Sequence, residues 1–573
     1  MIERICRKSG KKFVIAKEDL EFYAKMGLIT EENLQDLISR KMNDCSGLPT
    51  LCPEERQRRR MCWRNERKLY QRKCDSCEKS IVSVYQKSAS FPVYCQRCWW
   101  EYSWEALDYG RDFNFQRPFF DQFQELSGKV PCVGIMNDDG VRSENSEYCF
   151  NFSYGKNCYL VTTSWHAEDC LYVNNGQHLR DVVDSCNIGN SELSYECING
   201  QKVYNSVYLE DCFSCSDCYF SVDLKSCRHC FGCIGLRNAQ YCIFNKSYSE
   251  KDYIRLTSEL NLGSRKRLNQ IKEQARREIA KFPRRDVLQV KSEDCVGDAL
   301  FNCKQVQGNV IFNGEYCKYY DGGSDTPKNS YDILVGGAHQ WGCESIVPDH
   351  TYMVFGTMYC WKSNNVFYSD NCHSCSDCFG CVGLKHKQYC ILNKQYTKEA
   401  YEELLPKIIS HMKQTGEWGE FFPAELSPFA YNETVAQEYY PLTKKEAEKR
   451  GYKWKDEPIN KKYETLKQSF DWSQIPDDIQ EVGDDILTKV LFCECSGKPY
   501  QIQKAELKFY RKMNLPIPHL HPDERHKDRM KLRNPRKLYE RTCADCQKAI
   551  QTTFAPDRPE KILCEECYLK VVD

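Results

Sequence analysis

Four cysteine thiolates in two CxxC pairs can hold one metal ion in a tetrahedron. This chain carries that arrangement twice, at Cys74, Cys77, Cys95 and Cys98 and again at Cys543, Cys546, Cys564 and Cys567. Each CxxC forms a tight knuckle that turns two sulfurs to one side, which is the donor set of a structural zinc site. The 17 residues between the pairs are expected to run out and back as two short strands. Ile81, Val82, Val84, Tyr85, Val93 and Tyr94 fit this in one copy, and Ile550, Thr552, Phe554, Ile562 and Leu563 fit it in the other.

A further metal site is expected at Cys493, Cys495, His519 and His521, where a CxC and an HxH offer two thiolates and two imidazoles. The competing reading makes both histidines surface turn residues beside Pro518 and Pro522. In the N-terminal copy the equivalents are Cys6, Lys8, Thr50 and Cys52, only two of which are ligand types. That site is expected to be empty, although Cys45 lies near enough in sequence to contribute.

Cys212, Cys215, Cys218, Cys227, Cys230 and Cys233 fall at multiples of three residues, as do Cys372, Cys375, Cys378 and Cys381. A thiolate metal cluster is one reading. The favoured reading is that cysteine, a small hydrophobe, fills a narrow interior.

Concentrated basic stretches precede both ribbons. The first holds Arg56, Arg58, Arg59, Arg60, Arg64 and Arg67, and the second holds Arg529, Lys531, Arg533 and Arg536. Arginine grips phosphate with two parallel hydrogen bonds, so these residues are candidate nucleic-acid contacts. The alternative is that they pair with acids inside the protein. Trp99, Trp100, Tyr102, Trp104, Tyr109, Phe113, Phe115, Phe119, Phe120 and Phe123 follow the first ribbon. They are expected to seal it onto its neighbour rather than to stack on bases.

The elements that must position these groups are themselves duplicated. Residues 227–256 align without gaps on 375–404, with 16 identities in 30. Their shared core is Cys-Phe-Gly-Cys-Ile-Gly-Leu from Cys230 and Cys-Phe-Gly-Cys-Val-Gly-Leu from Cys378. Around them run short aromatic and β-branched segments broken by Asn, Asp, Gly and Ser, with a spacing that drifts between about 8 and 12 residues. This predicts a mainly β fold: a duplicated, cysteine-rich, β-solenoid-like middle with short helices, flanked by two zinc-ribbon modules. The end modules are copies as well. Arg64-Asn65, Leu69-Tyr70 and the first ribbon superpose on Arg533-Asn534, Leu538-Tyr539 and the second.

Six segments follow from the pattern: 1–126, the N-terminal ribbon module with its basic helix and aromatic tract; 127–256, the first solenoid half; 257–290, a basic helical connector; 291–405, the second half; 406–486, a helix, an aromatic wrapping segment and an acidic linker; and 487–573, the C-terminal ribbon module. Helices are expected at Leu268, Ile271, Ala275 and Ile279 and over 397–414.

The motifs resemble the CxxC-x17-CxxC ribbon proteins of bacteria, a largely uncharacterised group that includes candidate-phylum types. The resemblance rests on the ribbons, the Cys-Phe-Gly-Cys cores and the aromatic stretch Ser427–Thr443. It implies zinc as cofactor at the ribbon cysteines and brings no activity with it.

Composition narrows the function. Lys plus Arg and Asp plus Glu both number 81, so no global charge draws the chain to a polyanion. The 37 cysteines come without an apolar secretion signal and without a long apolar run, which points to a reducing compartment and a cytoplasmic location. No Walker loop, GxSxG or HExxH is present. The expectation is a non-enzymatic, zinc-stabilised binding scaffold whose basic modules contact nucleic acid, RNA slightly favoured over DNA, with no membrane partner. A protein–protein interaction scaffold is the alternative, and a thiol-based metal-handling or redox protein is the second alternative.

Overall fold

In the duplicated middle every third residue points inward. A computed structural model describes residues 1–39, 45–101, 103–137, 143–323, 325–456 and 461–572. In the first half, Cys149, Phe152, Cys158, Val161, Ala167, Cys170 and Val173 begin a line of buried side chains that continues through Cys212, Cys215, Cys218, Cys227, Cys230 and Cys233. The residue before each inward position commonly has φ near +50°, as at Asn157, Asn187, Asp211 and Asp217. Left-handed backbone costs a non-glycine residue about 1–3 kcal/mol, so the coil needs compensation.

Compensation comes from stacking. Phe150 pairs in parallel with Thr162, Thr162 with Asn174, and Asn174 with Cys186, so each coil is 12 residues long. Asn side chains at the left-handed positions form ladders between coils. Asn175 donates to Asn187, Asn187 to Asn199 and Asn199 to Asp211 at 2.8–2.9 Å. Each ladder can end on aspartate because an ionised carboxylate only accepts. Inside, Ser185 Oγ donates to the Val183 carbonyl and accepts the Cys197 N–H. Cysteine does similar work, with Cys158 Sγ donating to the Lys156 and Ala167 carbonyls at 3.3 and 3.4 Å. The expected β-solenoid is therefore present, with a constant coil in the first half where the sequence suggested a drifting one.

The same geometry explains the Cys-Phe-Gly-Cys cores. Gly232, Gly235, Gly380 and Gly383 occupy left-handed positions with φ of +63° to +70°. A Cβ on Gly232 would lie 2.4 Å from the Phe244 ring. The second half begins less regularly, with register steps from Val296 to Gln307, Lys318 and Tyr331, and settles to 12 residues from Tyr331 to Cys343 onward.

The chain forms two compact units, Met1–Ile135 with Gln289–Lys455 and Met136–Leu288 with Asp456–Asp573. Each joins one ribbon module to one solenoid half: the N-terminal module to the second half and the C-terminal module to the first. In the second unit the connector helix Arg265–Ile279 is capped by Ser264 and buries Leu268, Ile271 and Ala275 against Phe220, Phe231 and Tyr253. In the first unit Lys398–Thr415 is capped by Thr397 and ends at left-handed Gly416. Among the described residues no helix is long and apolar enough to cross a membrane.

The aromatic tract packs on the second half within its own unit. Phe119 meets Tyr368 and Phe379, and Trp100 meets His373. Lys385 Nζ stands 4.3 Å from the Trp99 ring centroid. Tyr102 lies outside the described residues.

Candidate metal centres

Both ribbons converge. The Sγ atoms of Cys74, Cys77, Cys95 and Cys98 all lie within 4.8 Å of one another, as do those of Cys543, Cys546, Cys564 and Cys567. Cys77 Sγ is 3.9 Å from Cys95 Sγ, and Cys546 Sγ is 3.7 Å from Cys564 Sγ. A tetrahedron with metal–sulfur bonds of about 2.3 Å has sulfur–sulfur edges of about 3.8 Å.

Each first knuckle closes with two backbone bonds around a left-handed residue. Cys74 N–H donates to Lys79 O and Glu78 N–H to Cys74 O, with Glu78 at φ +60°. Cys543, Lys548 and Gln547 repeat this. Backbone N–H groups also point at sulfur: Cys95 N–H donates to Cys74 Sγ at 3.1 Å, and Cys564 N–H to Cys543 Sγ at 3.3 Å.

The expected out-and-back strands do not pair with each other. Ser80–Ser83 pairs antiparallel with Tyr70–Lys73, ahead of the first knuckle. Val93–Tyr94 instead pairs in parallel with Cys132–Val133, and Ile562–Leu563 with Arg284–Arg285. The second strand is thus fixed by its own unit, from residues remote in sequence.

Electrostatics calls for a cation at both sets. The backbone N–H of Lys79 brings the Cys77 thiol down to about 7. Burial raises Cys543, but the N–H groups of Cys564, Asp545 and Cys546 outweigh it and hold the thiol at about 6. Burial pushes Cys95 up to about 12. Four sulfurs this close cannot all ionise unaided, and a metal ion held among them would supply the missing positive charge.

The CxC/HxH set is not gathered in the same way. Cys493 Sγ and Cys495 Sγ are 3.5 Å apart. His519 stacks on Trp472 at 3.5 Å with Nδ1 2.6 Å from Glu494. His521 caps the helix Pro522–Leu532, with Nδ1 accepting the Asp523 N–H. Among the described residues, the two ribbons are the groups of three or more candidate ligands drawn within 4.8 Å, and Cys493, Cys495, His519 and His521 are not among them. In the N-terminal copy Lys8 pairs with Glu425, and Thr50 donates to Glu420.

Expectation and structure part at the arginines. Arg56, Arg58, Arg59, Arg60, Arg64, Arg529 and Arg533 are buried. Arg56 Nε is 2.9 Å from Asp332, and Arg60 reaches both Asp332 and Glu344. Arg59 takes Glu344 and Glu420, Arg58 takes Glu55, and Arg64 takes Glu66. In the other unit Arg529 binds Asp184 at 2.8 Å and Glu196 at 3.2 Å, while Arg525 binds Asp184 and Glu506. Arg533 Nη1 lies 3.5 Å from Cys186 Sγ. These side chains are therefore not displayed to phosphate. The acids they meet are mostly hundreds of residues away in sequence, where local charge counting cannot find them. Of the other candidates, Lys531 is exposed beside Asp528, and Arg67 and Arg536 are half-buried.

The two locks share one design. Arg56 and Arg60 are four residues apart on the helix Pro53–Met61, and Arg525 and Arg529 are four apart on Pro522–Leu532. Asp332 and Glu344 are one coil apart, as are Asp184 and Glu196. Four helical residues rise about 6 Å and neighbouring strands lie about 4.8 Å apart, so two arginines meet two successive coils.

No protein-family model and no curated protein matches the chain. Among solved structures, a "putative acetyltransferase" from Desulfovibrio desulfuricans G20 aligns at 8% identity over 48% of this chain and 81% of its own, with a TM-score of 0.09. That likeness carries no argument about fold or function.

Proposed function

We propose that the chain is a non-enzymatic binding scaffold stabilised by two structural zinc ions, which works through protein contacts on its solenoid surface. Zinc fits because four thiolates drawn together, with no fifth candidate ligand grouped with them among the described residues, are its structural donor set. The observation that carries the scaffold reading is the arginine lock, present in both units. It directs Arg56, Arg59, Arg60 and Arg529 inward, toward Asp332, Glu344, Asp184 and Glu196, and leaves less of the basic stretches to meet a nucleic acid. Buried cysteines bonded to backbone carbonyls support packing rather than thiol chemistry in the solenoid.

Filter binding of the zinc-loaded chain to mixed RNA and DNA over a salt series tests this. The expected result is weak binding with a shallow salt slope. Tight binding that falls steeply with salt would return the lead to nucleic acid, RNA before DNA. Iron colour, or metal well beyond two ions per chain, would favour the metal-handling reading.

A further inference from the structure

The second unit contains a charged cleft. It has a volume of about 70 Å³ and is lined by Glu210, Asp223, Arg284, Phe554, Arg558 and Tyr568 among others. One water needs roughly 10–15 Å³ on the same measure, so the cleft has room for a molecule of several heavy atoms.

Three of its polar groups have unused capacity. Asp223 is buried, and its Oδ2 takes Arg237 at 2.9 Å and the Tyr568 hydroxyl at 2.7 Å. Its Oδ1 is buried with no partner. Glu210 and Arg284 are half-buried and of opposite charge, yet among the described residues neither side chain has an ion pair within 4.0 Å. Burial pushes the Glu210 carboxyl up, against the pull of Arg284, Arg276, Arg558 and Lys272. Arg558, by contrast, is already bound to Glu560. The cleft is thus lined by a carboxylate, Glu210, and a guanidinium, Arg284, with no ion pair on either side chain among the described residues, above the buried Asp223.

The duplication supplies a control. The residues of the first unit that correspond to Glu210, Asp211 and Asp223 are Met358, Tyr359 and Asn371. Through the shared strand pairing, Cys132 corresponds to Arg284, and Ala89 to Arg558. Met358 and Tyr359 are buried there, and Tyr85 stacks on Phe429 at 5.4 Å. The first unit also places a carboxylate there, Asp370, the counterpart of Val222, but it has Met358 and Cys132 where the second unit has Glu210 and Arg284, so the architecture does not require that pair of charges.

We propose that this cleft binds a small α-amino acid as its zwitterion, with the carboxylate on Arg284 and the ammonium on Glu210. Arginine suits a carboxylate because its fork offers two parallel donors. An ammonium group has three donors, so one can meet Glu210 while the others stay on water. Phe554, Val222 and Leu532 leave an apolar side for a short side chain.

Isothermal titration calorimetry of the zinc-loaded full chain tests this. The probes are glycine, alanine, serine and the larger amino acids, with acetate and methylamine as half-ligands. A short-side-chain amino acid should bind, and each half-ligand should bind at least tenfold more weakly. Arg284→Met and Glu210→Gln should each lower affinity at least tenfold with zinc content and circular dichroism unchanged, and Arg284→Lys should recover part of it. The proposal is overturned if no amino acid binds at millimolar concentration, or if acetate binds as well as the best of them. It is also overturned if both folded variants bind as wild type. Should a variant lose its fold, the wild-type comparison with the half-ligands decides alone.

Discussion

The two units solve one docking problem with different amounts of charge. In the second unit a single carboxylate is central: Asp184 Oδ1 takes Arg529 and Oδ2 takes Arg525. In the first unit Asp332 uses one oxygen for both Arg56 and Arg60, and its Oδ2 has no partner. There the network spreads further, through Arg59 to Glu420, which also accepts from the Thr50 backbone and hydroxyl. Glu420 belongs to the segment after the helix Lys398–Thr415, which also supplies Glu417 to the N–H groups of Phe119 and Phe120. What the units share is the pair of arginines facing two successive coils. What differs is how many further acids support the pair, and this makes the second lock the more concentrated one.

The largest expected effect breaks the symmetry at the metal. Cys74→Ser and Cys543→Ser should each reduce zinc from two ions per chain to one, read by elemental analysis. Structural zinc contributes roughly 10–16 kcal/mol to the folding of small modules, so hydrogen exchange should show one ribbon unfolded in each variant. The loss should stay in the ribbon that carries the substitution. A variant that sheds both ions, or neither, would refute two equivalent and separately filled sites.

How much of this was legible in the sequence depends on range. The ribbons were readable because their ligands come as local pairs and each knuckle closes on itself, as Cys74 and Lys79 show. The β-solenoid was readable through the Cys-Phe-Gly-Cys cores. Its period was not, because the inward position accepts Cys, Ser, Val, Leu, Ala or Gly, and the left-handed position accepts Tyr208, His178 and Leu193 as well as Asn. A search for small residues at every third position would have found it. The arginine stretches misled because a count of nearby charges cannot see Asp332 from Arg56, 276 residues away. The clue was the repetition itself: Arg56 and Arg60 match Arg525 and Arg529, while Asp332 and Glu344 match Asp184 and Glu196.

The next effect is on the locks. Removing one partner of a buried ion pair costs about 3–5 kcal/mol, because the charge left behind has no solvent. Asp184→Asn must place an amide against one of two guanidinium groups, since both oxygens are in use, and it should incur that full cost. Asp332→Asn can keep its oxygen toward Arg56 and Arg60 and turn the amide to the side that has no partner, so it should cost less. Urea denaturation followed by hydrogen exchange in each unit measures the difference. Equal losses, or the reverse order, would show that the concentration of charge at Asp184 does not matter.

The smallest effect separates the units by pH. His373 of the first unit is buried among Trp99, Trp100 and Trp361, and neither ring nitrogen has a hydrogen-bond partner. Burial, reinforced by Lys385 and Lys362, lowers it to about 3. Its counterpart in the second unit is the half-buried Lys225. A histidine held neutral in the native state binds fewer protons there than in the unfolded chain, so its share of stability is complete above pH 6.5 and is lost as pH falls toward 3. By pH 5.5 the loss should reach about 1.5 kcal/mol. His373→Phe keeps the aromatic contacts and removes the proton, so the coils around Trp361 should exchange hydrogen more slowly than wild type at pH 5.5 relative to pH 7.5. The coils around Lys225 should not respond to the substitution at either pH. Zinc measured on the same samples separates this titration from loss of the ribbons, which would affect both units alike. If wild type and His373→Phe show the same pH dependence around Trp361, the histidine is hydrated in solution and the acid sensitivity of the first unit has another source.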